Sequence, residues 1–255
     1  MSSWIIKRNI PRKKTATAIT VYHDTSLSTD IITMYMDVLG AYIYSQKNGE
    51  ACNIWDPVNI INMSLKNNPQ VKILKDKPEE NASQISMYKS MVSPMKFTDI
   101  QKYAFALFQY TSSFTTGVQQ ILDKASIKSK FDMGIHLVTD SSGTNLPFYA
   151  DLVKAYQLKS KKTTLNLYVM ADSYSTVTAF QKLGNSSWTV VSLSRTPNTN
   201  SQFLQTMAEV QIMTSLPSLI LNYSQDIDRF IYLMRPIRSE LEYFREISGV
   251  TWHML

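Results

Sequence analysis

The stretch from Phe131 to Asp140, FDMGIHLVTD, constrains this chain more than any other. It reads as a buried strand that stops abruptly at polar residues, with Met133, Ile135 and Leu137 on one side and Gly134, His136 and Val138 on the other. In an open α/β sheet, chemistry collects where strands end, because a rigid edge holds the loops and helix N-termini point into the crevice. His136, two residues before the exit, therefore has two readings. It is a ligand group, or it is a core ring satisfied by a backbone carbonyl, and the strand alone leaves both open.

The residues around this strand alternate between strand and helix patterns. Ala18 to Tyr22 reads as a first strand, ending in the polar turn His23-Asp24-Thr25-Ser26. A helix follows from Thr29 to Lys47, closed by Asn48-Gly49. Ala51 to Trp55 is a strand, Ile60 to Leu65 a short helix, and Val71 to Leu74 a third strand. Lys75 to Ser93 is polar and punctuated by proline, the pattern of a loop. Two aromatic-rich helices, Thr98 to Phe108 and Phe114 to Lys124, lead to a lobe boundary at Ser126 to Lys130.

Beyond the central strand the alternation is clearer. Helix Pro147 to Leu158, strand Leu165 to Ala171, helix Ser175 to Leu183, strand Trp188 to Leu193, helix Gln202 to Leu216, strand Ser218 to Leu221 and a helix after Gln225 follow in turn. Strands separated by helices predict parallel sheets, here a doubly wound one whose natural tenant is a nucleotide. The domain reading is a basic tail over 1–17, an α/β lobe over 18–128, a second over 129–235, and a C-terminal helix and tail over 236–255 with Ser239 to Ile247 helical.

The formal charge of +6 suits an anionic ligand, and Lys7, Arg8, Arg12, Lys13 and Lys14 carry much of it. Such a run is a solvated tail, with weak contact to a membrane surface as its functional alternative. The single cysteine, Cys52, excludes an intrachain disulfide, agrees with a reducing compartment and lies in an apolar stretch that makes it a packing residue. No run approaches the ~20 apolar residues of a membrane span. The chain reads as soluble and cytoplasmic.

Three strand exits in the second lobe carry polar groups: His136 to Asp140, Asp172-Ser173, and Tyr223-Ser224-Gln225. If the strands are parallel these exits share one edge, and Ser224 and Gln225 at a helix start suit a pyrophosphate, with a plain N-cap as the alternative. Walker, dinucleotide-fold and nucleophile-elbow motifs are absent, and three scattered histidines make no zinc spacing. Asp226-Ile227-Asp228 is read as two acids favouring a helix dipole, because residues two apart on a helix point in different directions. Nucleic-acid binding through Lys159 to Lys162 lacks an accompanying aromatic motif.

In order and spacing these motifs resemble the nucleotide-binding lobe of the fucosyltransferase superfamily that includes α-1,6-, α-1,2- and protein O-fucosyltransferases. Gly134-Ile135-His136-Leu137 stands where that family has G-[VI]-H-x-R-R, Tyr168-Val169-Met170-Ala171-Asp172 matches Y-[LV]-A-[ST]-D, and Leu219 to Gln225 matches a strand running into Ser-Ser-Gln and a helix. The resemblance covers Phe131 to Met234. It implies a GT-B-like fold of two Rossmann-like lobes and a nucleotide sugar, used without metal or other cofactor. It also implies nucleotide contacts at His136, Asp172, Glu209, Ser224 and Gln225. Val138 and Thr139 occupy the positions of the family's two arginines, the pyrophosphate clamp, so Arg195, Lys154 or a first-lobe cation would have to substitute.

The expected function is inverting, metal-independent transfer of fucose, or of another sugar such as xylose, from a GDP or UDP donor to a glycan hydroxyl. Such transfer needs a carboxylate or histidine at the acceptor hydroxyl and charge stabilisation on the leaving diphosphate. Asp24 and then Asp140 are the candidate catalytic acids. The second reading is an inactive glycan- or nucleotide-binding module of the same fold, supported by the missing arginines. A small transferase without a membrane anchor points to a bacterial or viral source.

Overall fold

A computed structural model describes residues 4–8, 18–23, 31–56, 59–74, 83–84, 95–125, 127, 130–138, 145–184, 186–193, 199–222 and 225–235. Asp24, Asp140, Arg195, Ser224 and the expected helix Ser239 to Ile247 lie outside these residues. The chain divides into two compact units between Thr115 and Thr116. No described helix is long and apolar enough to cross a membrane.

The first unit is built on a five-stranded sheet in the order β4-β3-β2-β1-β5. Its strands are β1 (Trp4–Arg8), β2 (Ala18–His23), β3 (Ala51–Trp55), β4 (Val71–Leu74) and β5 (Ser83–Gln84). As expected, β2, β3 and β4 run parallel. Two findings differ from the sequence reading. Trp4–Arg8, counted there in the basic tail, pairs antiparallel with β2, Ile5 opposite Tyr22 and Ile6 opposite Val21. Its Trp-Ile-Ile start has strong strand preference, which outweighs the two charges that follow. Ser83–Gln84, inside the expected loop, adds to the far side of β1.

Helix α1 (Ile31–Asn48) is buried along most of its length, with Ile32, Tyr35, Val38, Leu39, Ala41 and Ile43 all at 0 % exposure. A helix apolar all round must be covered all round. The sheet lies on one side, and α3 (Phe97–Leu107) covers another, with Tyr35 edge-on to Phe108 at 5.2 Å and Tyr42 edge-on to Tyr103 at 6.2 Å. Gly49 ends α1 at φ 65, a left-handed conformation that glycine adopts without strain. The short α2 (Ile60–Ser64) is tied to α1 by a 2.5 Å hydrogen bond between the Tyr35 and Ser64 hydroxyls.

Burial pushes the Cys52 thiol from 9.0 up to about 12, against a weaker lowering by the Ser45 hydroxyl. The folded chain therefore keeps this proton after the unfolded chain has released it. The stability linked to it is present below the ordinary value of 9.0 and is lost as pH rises toward about 12. The denaturation midpoint is expected to fall steadily across that window, and native Cys52 to react with a thiol reagent only as fast as the unit opens.

The second unit contains α4 (Ser112–Lys124) from Thr116 onward, with Gly117 placed against Leu204. The division thus falls inside a helix, ahead of the Ser126 to Lys130 turn where the sequence reading sets it. The sheet has four parallel strands in the order β8-β7-β6-β9: β6 (Met133–Leu137), β7 (Leu165–Ala171), β8 (Trp188–Val191) and β9 (Leu219–Ile220). One face carries Met133, Ile135 and Leu137 of β6 with Leu165, Leu167 and Val169 of β7. They share a core with Tyr149, Ala150 and Val153 of α5 (Leu146–Ser160) and Val177 and Phe180 of α6 (Tyr174–Leu183). Phe180 stacks on Trp188 at 5.7 Å, and the indole N–H donates to Gln157 Oε1 at 3.0 Å.

On the opposite face, Gly134 lies beneath Met213 of α7 (Thr199–Ser215) and Leu216. The last described helix, α8 (Asp226–Met234), turns Ile227, Phe230, Ile231 and Leu233 inward. Just beyond it, the Arg235 guanidinium donates to the carbonyls of Leu216 and Pro217 at 2.7 and 3.1 Å. Helices on both faces of a parallel sheet make this the doubly wound arrangement.

Candidate functional site

The strand order locates a crevice. From β6 the chain steps outward to β7 and then β8, each step through a helix on the α5–α6 face, and α7 then returns it to β9 on the other side of β6. The order reverses between β6 and β9. In open α/β sheets ligands bind outside the carboxyl ends of strands at such a switch point, because the flanking helices leave in opposite directions and open a gap. Since β6 pairs parallel with both β7 and β9, the three polar exits predicted from sequence lie on one edge.

His136 stands at this point. It is 4 % exposed, and its Nδ1 lies 2.7 Å from Asp228 Oδ1. The other carboxylate oxygen of Asp228, itself at 0 % exposure, accepts the backbone N–H of Asn222 at 2.7 Å. Three segments, the end of β6, the exit of β9 and the first turn of α8, are thereby tied through one buried carboxylate. Asp228 is a correction to the sequence reading, which gives both acids only a role in favouring the helix dipole: it is fully buried and binds His136. The two acids do diverge as helix geometry requires: Asp226 binds Arg229 on its own helix, and Asp228 turns into the unit. Asp228 has a legible signal, because it sits three residues before the buried Ile231 and so shares the apolar face.

The exit of β6 is held by α5. Val138 N–H donates to the Tyr149 hydroxyl at 3.3 Å, and Asn145 Nδ2 donates to the Val138 carbonyl at 2.5 Å. Burial pushes the Tyr149 hydroxyl up to about 12; the Val138 amide opposes this shift and the Asp228 carboxylate adds to it, so Tyr149 stays a neutral hydroxyl. Asn145 Oδ1 is buried without a hydrogen-bond partner among the described residues. A buried acceptor of this kind can be satisfied by an ordered water, an ion or a ligand donor.

The remaining predicted residues are spread unevenly. Asp172 is exposed at the exit of β7, followed by Ser173, whose hydroxyl accepts the Thr176 N–H and caps α6. Gln225 is exposed as the N-cap residue of α8, its backbone N–H bonded to the Asn222 carbonyl at 3.0 Å. Glu209, by contrast, is at 0 % exposure on α7, where the Tyr168 hydroxyl donates to it at 3.5 Å. Tyr168 is paired with Gly134 in mid-sheet, so the described contacts of Glu209 lie under β7. Lys154, a candidate for the missing clamp, is exposed in the third turn of α5 and pairs with Asp151 of the same helix. Val138 and Thr139 bring no cation to the β6 exit.

No family model matches the chain. No curated protein matches it either. Solved structures do. Fucosyltransferase NodZ from Bradyrhizobium superposes with a TM-score of 0.56 at 10 % identity, covering 88 % of this chain and 95 % of its own. NodZ α-1,6-fucosyltransferase co-crystallised with GDP gives 0.57 at 10 %, covering 88 % and 94 %. A mutant of Arabidopsis thaliana FUT1 in complex with GDP gives 0.59 at 8 % identity, covering 91 % of this chain and 73 % of its own. At such identities the likeness is one of backbone architecture, and it agrees with the strand order and motif placement derived above: the chain has a fucosyltransferase-like, GT-B-like α/β fold.

Proposed function

We propose that this protein is a glycosyltransferase that holds a nucleotide diphosphate sugar at the switch point of its second unit and transfers the sugar to a glycan hydroxyl. The observation that carries the proposal is the reversal of strand order between β6 and β9, with His136, Asp172 and Gln225 at exits on one edge. The orphan acceptor of Asn145 at the same edge supports it, as does the likeness to structures that contain GDP.

In this reading the exposed Asp172 accepts from donor hydroxyls, and the backbone amides that open α8 face the diphosphate. A carboxylate takes the acceptor proton as the hydroxyl attacks, with Asp24 and Asp140 as the candidates; in-line attack inverts the anomeric centre. Metal independence belongs to the same proposal: the two acids of α8 engage protein partners, Asp226 with Arg229 and Asp228 with His136.

The test is a thermal-shift panel of GDP, UDP, GDP-fucose, UDP-xylose, UDP-glucose and UDP-galactose, with and without EDTA. A ligand present at a hundred times its Kd stabilises by about 2.7 kcal/mol. One nucleotide family is expected to raise the melting temperature with no change on EDTA, and silence across the panel would remove the donor site. The specific observation favouring an inactive binding module is Val138-Thr139 in place of two arginines. Slow release of free sugar from the donor separates the two readings, because a transferase leaks sugar to water and a pure binder does not.

A further inference from the structure

A diphosphate leaving group carries two or more negative charges that must be balanced as the sugar departs. Along the edge where β6, β7 and β9 end, the described residues bring three acids. Asp172, Asp226 and Asp228 lie at the exits of β7 and β9, and the β6 exit has Val138 and Thr139. His136 is committed to Asp228 and buried. The first turns of α5 and α6 contain no basic residue. The first turn of α8 does: Arg229 reaches back along the helix, its Nη1 bonded to Asp226 Oδ1. Side chains on a helix lean toward its N-terminus, and this bond keeps the guanidinium, whose side chain is 11 % exposed, within the first turn of α8.

We infer that Arg229 is a diphosphate-binding residue of this site, held by Asp226 in the unliganded protein and shared with or released to the diphosphate when donor binds. The inference rests on the nucleotide-sugar reading above. Guanidinium suits the role because its fork of N–H donors matches phosphate oxygens two at a time. Asp226, the first residue of α8, favours the helix dipole and holds the arginine at the helix entrance while the site is empty. It also competes with the incoming anion. The two residues therefore act on affinity with opposite sign, which no purely structural ion pair would do.

The experiment measures dissociation constants of the whole protein for GDP and UDP and for guanosine and uridine, in the parent, Arg229→Gln, Arg229→Lys and Asp226→Asn. Arg229→Gln is expected to weaken the diphosphate bound by the parent by about tenfold to a hundredfold, the loss of one charge-assisted hydrogen-bonding group. The corresponding nucleoside is expected to bind as before. Arg229→Lys restores part of the loss, and Asp226→Asn tightens diphosphate binding. Equal weakening of nucleoside and diphosphate by Arg229→Gln, unchanged diphosphate binding, or weakening by Asp226→Asn would overturn the inference and leave the donor site standing. A parent protein that binds neither GDP nor UDP overturns both.

Discussion

Asp228→Ala is expected to destabilise the second unit by about 3–5 kcal/mol, the cost of removing one partner from a buried pair. The loss has two parts. His136, at 4 % exposure, keeps a polar nitrogen aimed at an empty space, and the Asn222 N–H loses its acceptor. His136→Ala exposes the complementary fault, an uncompensated carboxylate at 0 % exposure, and is expected to cost a similar amount. Replacing both residues together with Leu removes the ring nitrogen and the carboxylate at once, leaves only the Asn222 N–H without its acceptor, and is expected to recover part of the loss. Native-state hydrogen exchange of the β6 amides reads the effect in the second unit alone. Protection unchanged in Asp228→Ala would show that the pair contributes nothing.

Gly134→Val is expected to cost about 3 kcal/mol, although valine is the better strand former. A Cβ at this position would stand 2.7 Å from Leu216 Cδ1 and from Met213 Sδ, and 2.8 Å from Leu219 Cδ2. Those atoms come from the end of α7, the residue after it and β9, and all three neighbours are buried, so none can step aside into solvent. The glycine therefore sets how closely the return helix approaches the central strand, and with it the gap between β6 and β9. Exchange of the β6 amides is again the readout. A second change, Leu216→Ala, is expected to return part of the stability by clearing one of the three contacts, and no recovery would place the fault elsewhere.

The periodicity of the chain determined most of its elements, because strand and helix are written in short-range apolar spacing. Leu165–Ala171 forms β7 as read, and Ile31–Asn48 forms α1 within two residues of its expected ends. Parallel sheets followed from strands separated by helices, since a parallel connection needs a crossover. Trp4–Arg8 escaped because charge counting hid a strand whose partner, β2, lies beyond an intervening segment. Which side of β6 receives β9 is not written locally, since a helix of the length of α7 can return the chain to either side. The tertiary packing of Met213 and Leu216 on Gly134 accompanies that choice and so places the switch point.

The site divides in the same way. Asp172 and Gln225 could be placed at strand exits from sequence, because an exit is where an apolar run meets polar residues. His136 kept two readings until its partner was known, and that partner lies 92 residues away. Sequence spacing assigned Asp226 and Asp228 to different sides of one helix. Only the fold brought β6 beside α8, and the resulting desolvation made one acid an internal ligand of histidine and left the other with Arg229 at the helix entrance.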